Sequence, residues 1–301
     1  MITDKPTPEL LLSDYVEEFI AQSQGWFDIR EVYKYCSADN RRKQNTIAVK
    51  LNRLVDKDTI LKRHETKNGL YRKILIDLPL INWQDADAEN IIKLSWPFQL
   101  ERYIALYPRS VAMVAGSFNA GKTALMFNII KLNMHNQDLV YFNSEMGPEE
   151  MKSRIAKFGL EMGDWKFKAF ERSTNFADVI FPDAINLIDY LEVTTDFYLV
   201  AEEITAIWNK LHKGLAIIAV QKKRGQELGR GAEFSAEKPR LYLTMDSGAG
   251  GKEKSFGKLK VVKAKNWVCP TVNPNGLEWE FRLHNGCEFE VMSEPVEGEL
   301  E

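Results

Sequence analysis

The chain has 301 residues, 45% of them apolar and 28% charged, a globular balance with room for one large domain or for a small and a medium one. No apolar run approaches the roughly 20 residues that span a bilayer. The opening MITDKPTPELLL has neither the basic start nor the apolar stretch of a signal peptide, so a cytoplasmic chain without a membrane partner is expected. The net charge of −3 conceals a segregation of sign: Arg30 through Lys73 holds thirteen Lys/Arg against five Asp/Glu, a local balance of +8 that leaves −11 for the remainder, as in a basic module that meets a polyanion.

In chain order, ELLLSDYVEEFIAQS (9–23) places apolar side chains at helical spacing and predicts a first helix, broken at Gly25. Residues 29–36 read as a short second helix. Asp39 or Asn40 is suited to cap a third, running through RRKQNTIAVKLNRLVD. TILKRHETKNGLYRKILI follows, two alternating segments joined at Asn68-Gly69, which predicts a hairpin. Three helices and a two-stranded ribbon outline a winged helix, placed at residues 1–80. In that architecture the third helix enters the major groove and the wing touches flanking backbone. Arg41, Arg42, Lys43, Gln44 and Asn45 cluster at the start of the third helix, and Lys67 and Arg72 lie on the hairpin. The basic side chains suit phosphates, while Gln44 and Asn45 suit base edges. Winged helices also dock proteins, and surface lysines also serve only solubility.

Residues 81–100 read as a connector. From 101 to 292 apolar strands alternate with helices; the strands are expected at 111–115, 139–143, 184–188, 215–220, 241–245, 258–262 and 279–283. Short, nearly all-apolar strands separated by helices imply an α/β fold, a largely parallel sheet covered on both faces. Residues 293–301 form an acidic tail, expected to be disordered. Cys36, Cys269 and Cys287 lie far apart without a CxxC pair, and the four histidines are isolated, a pattern against a disulfide framework or a zinc site.

Gly116-Ser117-Phe118-Asn119-Ala120-Gly121-Lys122-Thr123 fits G-x-x-x-x-G-K-[ST] in full, after the apolar SVAMVA and before the helix-forming ALMFNIIKL. Backbone N–H groups of such a turn point at phosphate oxygens beside a helix N-terminus. Lys122 is suited to the β- and γ-phosphates of ATP and the Thr123 hydroxyl to Mg²⁺. The run AINLI ends in Asp189, placed to hold the metal or its water, although any strand may end in an aspartate. Glu145 follows LVYFNS at the C-terminal edge of the sheet, where a carboxylate orients and deprotonates an attacking water. It also reads as a capping acid ahead of Pro148, and Glu192 competes for the role of base.

The blocks Asn143–Met146, Ile188–Glu192, Ile218–Arg224 and Val261–Asn266, taken with the phosphate turn, resemble the RecA-like motor domain of DnaB-type replicative helicases over roughly residues 100–292. The resemblance implies a RecA-like sheet preceded by the winged-helix candidate, where the family carries a helical primase-binding domain. It implies ATP hydrolysis coupled to binding or translocating single- or double-stranded DNA, a homo-oligomeric ring or filament, and partners among replication or recombination proteins. Glu145 becomes the water-activating base and Gln221 the γ-phosphate sensor. Lys263 and Lys265 become charges offered to a neighbouring subunit's ATP. The family usually has arginine where Lys265 stands; lysine keeps the charge and loses the bidentate fork. Two solvated lysines on one strand face are the alternative. Arg224 stands at the family's loop-entry arginine, and the segment Lys222–Lys238, with Arg224 and Arg230, reads either as a mobile DNA-gripping loop or as a solvated one. A non-motor, ATP-dependent scaffold that assembles on DNA fits the same motifs.

Overall fold

The computed structural model describes residues 11–23, 25–56, 60–76, 78, 80–191, 197–248 and 256–297. They form two compact units that divide between Ala86 and Asp87. Among the described residues no helix is long and apolar enough to cross a membrane.

The first unit runs α1 (Leu12–Gln22), β1 (Trp26–Asp28), α2 (Ile29–Tyr35), α3 (Arg41–Asp56), β2 (Leu61–Arg63) and β3 (Leu70–Lys73). The strands make an antiparallel sheet in the order β1-β3-β2. The three helices and the hairpin come in the expected order, with one strand more than the sequence suggested: β1 is only three residues long, too short for alternation to register. Asp28 ends that strand and opens α2, its carboxylate accepting from Arg30 N at 2.8 Å while Glu31 reaches back to Asp28 N; this is a capping box. Asn40, not Asp39, caps α3, accepting from Lys43 N at 2.9 Å. Ile47 and Leu51, four residues apart on one face of α3, pack with Val16, Ile20, Phe27, Val32, Leu61 and Tyr71, and that apolar contact holds the small unit together.

The second unit is built on β4 (Ser110–Gly116), α4 (Lys122–Asn133), β5 (Leu139–Asn143), α5 (Pro148–Ala156), β6 (Lys168–Glu171), β7 (Ile185–Asp189), α6 (Phe197–Lys210), β8 (Leu215–Gln221), α7 (Ala232–Glu237), β9 (Leu241–Asp246), β10 (Gly257–Ala264), β11 (Leu277–His284), β12 (Glu288–Val291) and β13 (Val296–Glu297). One sheet takes them in the order β12-β11-β10-β9-β4-β8-β7-β5-β6, with β13 beside β11. From β9 to β6 every pairing is parallel, and β10 to β13 add on antiparallel. Successive residues of β4 feed opposite cores: Ala112 and Val114 join one, Val111, Met113 and Ala115 the other. A strand buried on both faces needs apolar side chains at every position, which is why these strands read as unbroken apolar runs.

Two expectations change. The connector is shorter than 81–100, because Leu94, Trp96, Phe98 and Leu100 are buried in the core that α4 shares, and Ile92 N donates to the Leu106 carbonyl at 2.7 Å. The acidic tail begins in order: Val296 and Glu297 pair with Glu278 and Leu277, while 298–301 lie outside the described residues.

Candidate nucleotide site

The turn between β4 and α4 is pinned to the strand beside it. Ser117 N donates to the Met245 carbonyl at 3.1 Å, and Ser247 N donates to Ser117 Oγ at 3.3 Å. Lys122 Nζ lies over the turn, donating to the carbonyls of Gly116 and Ser117 at 3.2 and 3.3 Å and standing 3.5 Å from Gln221 Oε1. A Cβ on Gly116 would stand 2.5 Å from Lys122 Cγ, so only glycine lets the lysine fold across. Burial pushes the Lys122 ammonium below its usual pKa, against the opposing pull of Asp189 and Glu145. A partly dehydrated cation beside free helix N–H groups is a strong attractor of phosphate.

Asp189 ends β7 opposite Asn143 of β5 and is 5% exposed. Burial raises its pKa, against hydrogen bonds from Tyr141 and Thr123 and the charge of Lys122. Tyr141, which sequence reading missed, donates its hydroxyl to Asp189 Oδ2 at 2.8 Å; an inward-facing tyrosine two residues before a strand's end carries no sequence signal of that contact. The Thr123 hydroxyl and the Asp189 carboxylate, in hydrogen-bond contact, form the hard-oxygen pair that Mg²⁺ takes when phosphates and water supply its other ligands, so the residues present fit that ion. Asn143 Oδ1 accepts from Met146 N at 3.0 Å and Glu145 N at 3.3 Å, fixing the bend that carries Glu145. Glu192 lies outside the described residues.

A cavity of about 570 Å³ is walled by Phe118 through Ala124, by Glu145, Asp189 and Gln221, and by Arg154 and Arg230. The cavity thus gathers Phe118–Thr123, Glu145, Asp189 and Gln221, while Gly116 and Ser117 are not on its wall. Arg154 was not anticipated. It stands on α5 and is ion-paired with Glu150 at 2.8 Å, at the (i, i+4) spacing that looks like routine helix surface.

The segment 222–238 is not a loose loop. Lys222 is buried and ion-paired with Asp246 Oδ2 at 2.6 Å, and its Nζ also donates to the Gln226 carbonyl at 2.6 Å. Arg224 Nη2 donates to the Ser247 carbonyl at 3.2 Å. Arg230 folds back, its N–H on the Gln221 carbonyl at 2.8 Å, which brings it into the cavity wall rather than onto a DNA-facing tip. Lys263, expected to reach a neighbouring subunit, instead donates Nζ to the Ala236 and Glu237 carbonyls at the end of α7. There it meets the negative end of a helix. A bulge between Val261 and Lys263 interrupts the strand, and Lys265 lies just past its end, exposed, with its N–H on the Arg240 carbonyl at 2.9 Å.

In the first unit, Arg41, Arg42, Asn45, Arg53, Lys67 and Arg72 are exposed. A groove of about 920 Å³ along α1 and α3 has Arg41, Arg42 and Arg53 on its lining. Gln44 departs from expectation: its amide donates to the Ala38 carbonyl at 3.0 Å, closing the turn before α3 instead of facing outward. Lys43 is ion-paired with Asp39 at 2.9 Å, and Arg72 stacks over Trp26 at 5.7 Å.

No family model and no curated protein matches the sequence. Among solved structures, a KaiC-like protein of the hyperthermophilic archaeon Pyrococcus horikoshii is similar in fold, with a TM-score of 0.53 at 14% identity, over 67% of this chain and 99% of that one. The chain thus carries a RecA-like α/β fold: a mostly parallel sheet flanked by helices, with the phosphate turn following its central strand.

Proposed function

We propose that this chain is a Mg²⁺-dependent ATPase of the RecA/DnaB kind, in which hydrolysis in the second unit is coupled to DNA held by the first, in a homo-oligomeric ring or filament serving replication or recombination. One observation carries the ATPase reading: Lys122, Thr123, Glu145, Asp189 and Gln221, drawn from four strand ends, converge on a single cavity of about 570 Å³. When bound, Mg²⁺ neutralises β- and γ-phosphate charge. Lys122 holds the same oxygens, and Gln221, at the end of β8, senses the γ-phosphate. Glu145 takes a proton from water as its oxygen bonds to the γ-phosphorus. The bond from that phosphorus to the β–γ bridging oxygen breaks, and the electron pair leaves on ADP. The exposed arginines of α3 and of the hairpin support the DNA reading, since cations on a winged helix suit phosphate backbone.

The deciding experiment measures Mg²⁺-dependent ATP turnover with and without DNA, beside Lys122→Ala. The wild type should hydrolyse ATP, faster with DNA, and the variant should not. A wild-type rate indifferent to DNA removes the coupling, and no turnover at all removes the ATPase.

The second reading is an ATP-dependent scaffold that assembles on DNA without separating strands. It is favoured by one observation, the engagement of the Lys263 ammonium on α7 of its own chain, which withholds a charge that a fast motor would offer across a subunit boundary. Strand displacement on a forked duplex separates the two readings.

A further inference from the structure

Phosphoryl transfer is accelerated by a side-chain cation on the γ-phosphate beyond the lysine of the turn, because it balances charge on the transferring group as the bond to ADP breaks. With Lys263 held elsewhere, the cavity wall itself has two arginines. Arg154 stands on α5. Arg230 stands on a turn built to hold it.

The turn is constrained on both sides. Gly229 N donates to the Tyr242 hydroxyl at 2.9 Å, and a Cβ at Gly229 would lie 2.5 Å from Val220 Cγ2. Gly231 has φ of +97° and opens α7, and a Cβ there would press on Val200 at 3.2 Å. Between them, Arg230 N donates to the carbonyl of Gln221 at 2.8 Å. The sensor glutamine and the arginine are thus tied backbone to backbone, and both side chains line the same cavity as Lys122 and Glu145. Glycine on each side costs chain entropy and is retained here where close approach and a left-handed backbone demand it. Such a frame suits a side chain whose position matters.

We infer that Arg230 acts in cis as the γ-phosphate cation of this site, supplying from the turn tied to the subunit's own β8 a charge that need not come from a neighbour. The inference rests on the ATPase reading above. Because Gln221 and Arg230 share a hydrogen bond, a shift of Gln221 on γ-phosphate release moves the arginine and the N-terminus of α7 with it.

The test compares kcat and KM for Mg²⁺-ATP, the Kd of a fluorescent ATP analogue and DNA affinity in the wild type, Arg230→Ala and Arg230→Lys. Expected is a loss of kcat of about 100-fold or more in Arg230→Ala, with Kd and DNA affinity within a few-fold of wild type, and partial recovery in Arg230→Lys. Retained nucleotide binding reports that the variant is folded. Mixing Arg230→Ala with Lys122→Ala subunits then tests cis action: no mixed site has both groups on one chain, so no activity should return. Restored turnover in the mixture overturns cis action. Wild-type kcat in Arg230→Ala, or a loss of DNA affinity in place of kcat, overturns the inference while leaving the ATPase reading intact. A wild type without ATP turnover ends that reading and this inference with it.

Discussion

Lys222 and Asp246 face each other across the ends of β8 and β9, 2.6 Å apart, with the lysine side chain 1% exposed. The pair ties the strand that carries Gln221 to the strand that leads into Ser247, whose N–H meets Ser117 of the phosphate turn. Removing the carboxylate leaves a buried ammonium with, among the described residues, the Gln226 carbonyl as its hydrogen-bond acceptor. Asp246→Ala should therefore cost about 3 kcal/mol in urea unfolding of the full chain, while Lys222→Met combined with Asp246→Ala should cost less. A double variant as unstable as the sum of the singles would show that the two residues act independently.

Gly116→Ala separates site from fold. The added methyl would meet Lys122 Cγ at 2.5 Å and Cδ at 2.7 Å, and a lysine side chain yields where backbone would not. ATP affinity should fall about tenfold, or ~1.4 kcal/mol, with the urea midpoint almost unchanged. An equal loss of affinity and stability would mean that the turn itself had shifted.

Asp189 sets a trade between stability and ligand. Its folded-state pKa is raised above the ordinary carboxylate value, chiefly by burial. Between the unfolded and folded values the native chain holds the proton that the unfolded chain has lost, so stability falls as pH rises through that window. Above it the buried carboxylate is a standing cost. Without nucleotide, Asp189→Asn should melt higher than wild type at neutral pH, with the gap closing below the unfolded value. The same variant should lose the upward melting shift that Mg²⁺-ATP gives the wild type. An Asp189→Asn protein that melts lower at neutral pH would contradict this.

The first unit offers contrasting substitutions. Arg42 and Arg53 are exposed on α3, and alanine at each should weaken DNA binding and lower the slope of log K against log salt by about 1. Gln44→Ala should instead cost about 1 kcal/mol of stability, through the lost bond to the Ala38 carbonyl, with DNA affinity unchanged. Salt titrations of binding and urea curves on the three variants settle the assignment; DNA binding lost through Gln44 and kept without the arginines would reverse it.

The phosphate turn was legible because its chemistry demands fixed residue types at fixed spacing, and β4, β5, β7, β8 and β9 were legible because burial on both faces permits only apolar runs. The aspartate assigned to the metal, Asp189, could be picked out from its place at the end of such a run. What stayed hidden depended on the chain returning from afar. Tyr141 meets Asp189 only once β5 and β7 pair, and Gln44 turns inward only because Ala38 offers a carbonyl. Arg230 looked like a loop cation until its N–H was seen on Gln221. Basic residues with the same sequence appearance thus divide between solvent, helix ends and the cavity, and tertiary contacts make the division.

The glycine that opens α4 has neighbours distant in sequence. A Cβ at Gly121 would stand 3.1 Å from Leu283 and 3.4 Å from Phe289, so β11 and β12 buttress the phosphate turn from outside the parallel sheet. The antiparallel extension is consequently a mechanical support, and a fragment ending at β9 would keep Gly116–Thr123, Glu145, Asp189 and Gln221 yet release the turn from one side. The minimal nucleotide-binding unit is set by that buttress and extends well past Gln221.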